Sequence, residues 1–376
     1  MIILLVSFAI SVFITALLVR SANLHAKHSG DWDFTKPQKF HTVSVPRIGG
    51  VGIVLGVTAA AAALPLTIDL PAAEIAWLLL LCSLPAFLAG AVQDFTESIS
   101  PRGRLVATAV SALLSYVFID TAIRSAPIPG VDWLVSFVVG ALFVTVFAVT
   151  GIAHAVNIID GFNGLASMCV VIMLAAIGYV AFQVDDRLVG LLALAGIGAL
   201  LGFFPWNFPA GLIFLVDGGA YFLGFYVAEV SILLLQRNPD EVSPLCPLLV
   251  CIYPVFETLF SVYRRGFLRA VPISMPDGIH LHTLIYRRIL RWAVGAGEAR
   301  NLTLRNSMTS PYLWILCMLS AIPAVLFWDN TPVLYGFLAV FAASYLVLYW
   351  RIVRFRSPRW LKPAARRTPV LRRPGP

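Results

Sequence analysis

Apolar runs recur along this chain at close to the roughly 20 residues that carry an α-helix across a bilayer. They begin with IILLVSFAISVFITALLV and return until Trp350. Repetition at that length predicts an all-α, polytopic integral membrane protein. Only 12% of the residues are charged, about half of what a soluble surface needs, so an ordinary soluble globule is excluded. The 59% hydrophobic content excludes disorder. About eleven transmembrane helices are expected, near 1–19, 48–66, 74–92, 105–120, 133–151, 164–182, 188–203, 219–236, 245–263, 311–328 and 332–350.

The basic residues orient these spans. With alternating loops, only Arg124, Arg187 and Arg237 of the 27 Lys and Arg fall on one side. The basic side of a membrane protein is the cytoplasmic one, which predicts an N-terminus outside and a cytoplasmic C-terminus. The net charge of +8 then reports orientation and contact with anionic membrane lipids, not nucleic acid. Residues 1–350 read as one transmembrane domain with its chemistry on cytoplasmic loops. Residues 351–376 read as a basic, proline-containing cytoplasmic tail. The five cysteines show no metal-like spacing, and their odd number argues against a disulfide framework.

The acids that follow apolar runs on the cytoplasmic side carry the chemistry. Asp94 ends the third span in AGAVQDFTES, Asp160 follows the fifth in NIIDGFNGLA, and Asp217 opens the eighth in IFLVDGGAYFLG. Lys36, Lys39, His41 and Arg47 precede the second span, and Asp277, His280 and His282 lie in a long basic loop. Carboxylates at helix ends with Lys, Arg and His suit a Mg²⁺–pyrophosphate site. Mg²⁺ takes hard oxygen ligands, usually one or two carboxylates completed by phosphate and water, and cations offset the charge that moves to a phosphate leaving group. Taken singly, each residue has a plainer reading. His154 fits a hydrogen-bonded packing residue. Gly49 and Gly50 fit close helix packing, since no strand precedes them as a nucleotide fingerprint requires. His280 and His282 lack a third zinc-type ligand.

In order along the chain, PQKFHTVSVPRIGG, QDFTESISPRGRL, NIIDGFNGLAS, WNFPAGLIFLVDGGAYFLGF and DGIHLHTLIYRR resemble the polyprenyl-phosphate N-acetylhexosamine-1-phosphate transferases, the WecA/MraY-like group of family 4 glycosyltransferases. The resemblance implies a bacterial inner-membrane enzyme with a cytoplasmic active site. It would move a sugar-1-phosphate from a UDP-N-acetylhexosamine donor to undecaprenyl phosphate with Mg²⁺, Mn²⁺ being an alternative. UMP is released, and O-antigen or another surface polysaccharide is begun.

Carried onto this chain, the resemblance implies catalytic roles for Asp94, Asp160 and Asp217, with Asp217 and Asp94 as metal ligands. It implies substrate binding by Lys39, His41, Arg47, Asn157, Asn163, Asn207, Arg264, Arg265, His280 and His282. Four positions depart from the family pattern: Gln93 and Asn163 replace acids, Val216 replaces a Gly before the metal Asp, and Thr283 replaces a His. A catalytically impaired member serving as membrane scaffold or lipid binder is the alternative that Gln93 and Asn163 suggest. A transporter would instead place its polar groups at the bilayer midplane. Small-residue-rich spans such as 187–202 allow packing within one chain or in a homodimer.

Overall fold

The structure, a computed structural model, describes residues 1–22, 45–269, 279–290 and 299–354. Its elements in chain order are α1 (Ile2–Arg20), α2 (Gly49–Ala63), α3 (Leu70–Thr96), α4 (Pro101–Phe118), the short α5 (Val131–Val135), α6 (Val138–Ile159), α7 (Leu165–Gln183), α8 (Arg187–Asn207), α9 (Val216–Arg237), α10 (Leu245–Val250), α11 (Ile252–Tyr263), the short α12 (Leu281–Leu284), α13 (Ala299–Leu326) and α14 (Thr331–Val353). Among the described residues, nine helices are long and apolar enough to cross a membrane. Large apolar side chains such as Leu81, Phe143, Ile315 and Val340 stand exposed on the outer faces, a surface suited to lipid rather than water. The chain is a polytopic, all-helical membrane protein.

Two of the expected spans are helical but fall short of that measure, each for a local reason. α4 opens with Arg102 and Arg104, so only its later turns are strongly apolar. The segment expected at 245–263 is broken at Cys251 into α10 and α11. Pro254 has no N–H to offer the Val250 carbonyl, and its ring crowds that oxygen. The fifth span also sits later than expected, because α6 continues past residue 151 through His154 and Asn157. These side chains have partners inside the protein: His154 Nε2 lies 3.2 Å from Thr108 Oγ1, its ring packs on Tyr221, and Asn157 bonds to Asp217.

α9 is the axis of the bundle, buried from Gly218 to Leu234 and packed on α3, α6 and α2. Beside it, α1, α2 and α8 interlock through small residues. Ser7 and Ser11 of α1 donate to the Ala195 and Ala199 carbonyls of α8 at 2.5 and 2.6 Å. Gly198 of α8 meets α1 so closely that a Cβ there would stand 2.4 Å from the Leu4 carbonyl oxygen. The small residues of 187–202 that face α1 are therefore used within the chain. All five cysteines are free and buried. Lys39, His41 and residues 355–376 of the basic tail lie outside the described residues.

Candidate active site

Glycines bring the helices of the site together. A Cβ on Gly50 of α2 would stand 2.6 Å from Gly219 backbone, and one on Gly90 of α3 would stand 2.6 Å from Gly218 backbone. Backbone can lie this close only where no side chain intervenes. The start of α2 is also pinned through its preceding loop. Phe214 N donates to Pro46 O, and Gly49 N donates to Phe214 O, both at 3.0 Å. The beginnings of α2 and α9 and the end of α3 thus meet at one end of the bundle.

Asp94 lies one turn beyond Gly90 and so hangs over the first turn of α9. Its carboxylate accepts from Asp217 N at 3.2 Å and from Gly218 N at 2.9 Å. Asp160, which caps the end of α6, accepts from Val216 N at 3.0 Å. A helix N-terminus leaves several N–H groups without intrahelical partners and favours negative charge. Here two carboxylates from other helices satisfy that need. Burial pushes the Asp160 carboxyl up to about 7, the Val216 N–H opposes the rise and the charge of Asp217 adds to it.

Asp217 itself is held by side chains. Asn157 Nδ2 donates to one oxygen at 2.7 Å, and the Arg104 guanidinium pairs with the other. Its side chain is 21% exposed, against 3% for Asp94, so Asp217 is the carboxylate better placed to meet a ligand. Arg47 lies 3.7 Å from Asp94 and donates to Glu97 at 3.1 Å. Val216, immediately before Asp217, has φ +52°. A β-branched residue is out of place in that left-handed region, which accounts for the glycine of the family pattern.

The neighbouring wall carries the histidines. The rings of His280 and His282 stack with centroids 5.1 Å apart. His282 lies edge-on to Phe162 and so close to Gly161 that a Cβ there would stand 3.2 Å from Nε2. The 160–164 loop is in turn sewn into the bundle. Asn207 accepts from Gly164 N at 2.6 Å and donates to Ile213 O at 2.8 Å. Asn163 donates through its amide to Pro209 O at 3.1 Å and through its backbone N to Asn306 at 2.8 Å.

The structure thus brings Asp94, Asp160, Asp217, Arg47 and Asn157 together, with His282 against the adjoining loop. Three others are engaged with the protein itself. Asn163 and Asn207 are buried struts of the loop, and Arg264 is buried with its guanidinium on Ile279 O, Tyr349 and Ser261. Arg265 is buried beside it. Arg104 was missed by sequence reasoning; its only signal is a basic residue in the helix opening SPRGRL.

Among the described residues, no three acidic, His or Cys side chains lie close enough to form a metal cage from protein alone. Mg²⁺ is commonly held by one or two carboxylates and completed by substrate phosphate. The hard carboxylate oxygens of Asp217, with Asp94 behind it, would fit such an ion.

Comparison with known proteins agrees with this geometry. The family described as Glycosyl transferase family 4 matches residues 76–235, the stretch that contains Asp94, Asp160 and Asp217. A probable undecaprenyl-phosphate N-acetylglucosaminyl 1-phosphate transferase of Bacillus subtilis is 28% identical over 285 residues, 75% of this chain and 77% of the relative. The undecaprenyl-phosphate alpha-N-acetylglucosaminyl 1-phosphate transferase of Thermotoga maritima is 29% identical, over 75% of this chain and 81% of its own. A phospho-N-acetylmuramoyl-pentapeptide-transferase of Streptococcus pneumoniae is 32% identical over 52% of this chain and 58% of the relative. In its motifs, its helical bundle and these relatives, the chain is similar to glycosyl transferase family 4.

Proposed function

We propose that this protein transfers an N-acetylhexosamine-1-phosphate from a UDP-sugar to undecaprenyl phosphate at the cytoplasmic face of a bacterial inner membrane, beginning O-antigen or another surface polysaccharide. The observation that carries this reading is the meeting of Asp217, Asp94, Asp160, Arg47 and Arg104 where five helices end. A lipid phosphate can reach such a place sideways from the bilayer, and a nucleotide can reach it from water.

In the reaction, an oxygen of the lipid phosphate bonds to the donor's β-phosphorus, and the bond from that phosphorus to UMP breaks. The charge of the broken bond leaves on UMP. A phosphate monoester is already largely ionised near neutral pH, so no side chain need remove a proton. When bound, Mg²⁺ would neutralise charge on the diphosphate. Asn157 and Arg104 orient Asp217, while Asp94 and Asp160 hold the first turn of α9 and fix where Asp217 stands. Preorganised charge of this kind is the main device of phosphoryl transfer.

The impaired-scaffold reading rested on Gln93 and Asn163. Both amides have structural uses here. Gln93 Oε1 accepts from Ile99 N at 2.8 Å, and the Asn163 amide donates to a carbonyl, which an ionised carboxylate cannot do. The assay that tests the proposal combines purified protein, undecaprenyl phosphate, Mg²⁺ and a panel of radiolabelled UDP-sugars. A labelled lipid diphosphate from a UDP-N-acetylhexosamine is expected. No labelled lipid from any donor would overturn the proposal.

A further inference from the structure

Glu257 of α11 carries a buried carboxylate, 1% exposed, outside the aspartate cluster. An ionised group so placed is costly in a membrane protein and persists only with partners. Glu257 has them on both oxygens. Oε1 lies 3.0 Å from His280 Nδ1 and accepts from Leu281 N at 3.2 Å, and Oε2 accepts from the Tyr345 hydroxyl of α14 at 2.6 Å. Arg264, two turns beyond Glu257, and Tyr349, one turn beyond Tyr345, both donate to the Ile279 carbonyl, at 2.6 and 3.2 Å. Residues 279–281 are thus gripped on side chain, N–H and carbonyl by α11 and α14.

An ionised carboxylate only accepts hydrogen bonds. The His280 nitrogen facing Glu257 must therefore carry a proton. A hydrogen bond at one ring nitrogen sets the role of the other, Nε2. The His280 ring stacks on His282, and His282 rests on Gly161, next to Asp160. We propose that Glu257, bracketed by Tyr345, is a positioning residue: it sets the proton and the plane of His280, and through the stacked His282 it sets the wall against which the donor's phosphates and sugar bind. The donor-binding part rests on the transferase reading above; the state of His280 does not.

The experiment is a double-mutant cycle on the purified full-length protein. Glu257→Gln keeps the shape but lets the side chain donate to Nδ1. It is expected to raise the donor KM about tenfold while changing turnover less than about threefold. Tyr345→Phe keeps the carboxylate and loses one bond, and is expected to raise KM about threefold. In a His280→Ala background, Glu257→Gln should add less than about twofold. A full additive penalty there means that Glu257 does not act through His280 and overturns the proposal. If Glu257→Gln fails to fold, Tyr345→Phe carries the same cycle. Histidine ¹⁵N resonances give a readout independent of turnover, with His280 identified by its loss in His280→Ala. A protonated Nδ1 is expected in the wild type and a loss of that preference in Glu257→Gln. A bare Nδ1 in the wild type overturns the proposal even if transfer is fast. A protonated Nδ1 in a protein that transfers from no UDP-sugar overturns the transferase reading and leaves the positioning of His280 standing.

Discussion

Around Asp217, α2, α3 and α9 meet backbone to backbone at Gly50, Gly90, Gly218 and Gly219, and two carboxylates fasten the first turn of α9. Around His280, α11 with the residue that follows it and α14 reach the site through long side chains, Glu257, Arg264, Tyr345 and Tyr349. The aspartate side has little freedom, so it suits a group that must hold a fixed charge. The histidine side is held by polar contacts that can loosen one at a time, which suits a wall that adapts to a sugar. The two sides should therefore fail differently, the first by steric clash or loss of charge, the second by loss of hydrogen bonds.

The largest expected effect is on Asp217. Asp217→Asn keeps the size and can still face Asn157 and Arg104, so the protein should fold. The labelled-lipid assay should then show a loss of about a thousandfold, about 4 kcal/mol of barrier. Activity within about threefold of wild type would remove Asp217 from the role given to it.

Next in size is stability. In Gly90→Ala the new Cβ would stand 2.6 Å from Gly218 backbone, which cannot turn away as a side chain would. The expected loss is about 2–3 kcal/mol. Tyr349→Phe removes bonds to Arg264 and Ile279 without a clash, and should lose about 1 kcal/mol. Gly336→Ala, with nothing near its Cβ position, is the control and should be neutral or slightly stabilising. Unfolding midpoints in one detergent compare the three. Equal losses at Gly90 and Tyr349 would break the distinction between the two sides.

Much of this was legible in the sequence because lipid makes apolar length a strong signal. The acids at helix ends could be picked out because each follows an apolar run. The break at Cys251 was also within reach, since Pro254 sits inside an apolar run. Less legible were groups whose meaning depends on partners distant in sequence. Arg104 meets an acid 113 residues away. Glu257 looks like an isolated charge in IYPVFETLF until His280 and Tyr345 are placed beside it. Asn207 matched the family motif and Asn163 departed from it, but no pattern could say that their amides are turned to backbone carbonyls and N–H groups.

A smaller effect is expected at Val216, where strain and function sit side by side. A left-handed β-branched residue costs roughly 1–3 kcal/mol, here opposed by the bond from its N–H to Asp160. Val216→Gly removes the strain and keeps the N–H, but adds freedom to the unfolded chain worth about 0.5–1 kcal/mol. A net stabilisation of about 1 kcal/mol is expected, with transfer retained. A lower unfolding midpoint in Val216→Gly would show that the valine side chain contributes more by packing than its backbone loses.

The smallest effect is expected at Gln93, beside Asp94, where the family pattern has another acid. Gln93 Oε1 accepts from Ile99 N at 2.8 Å and holds the turn that follows α3. In that turn Glu97 adopts φ +50° and binds Arg47. Gln93→Asp restores the acid but shortens the side chain by one methylene, so the bond to Ile99 should be lost. It also adds a third negative charge near Asp94 and Glu97, with Arg47 already engaged by both. Transfer should therefore change by less than about threefold, in the direction of loss. A gain of about a hundredfold, roughly 2.7 kcal/mol of barrier, would mean that the aspartate side lacks a carboxylate it needs. The rigid half of the site would then be a damaged one, and the scaffold reading would regain its motive.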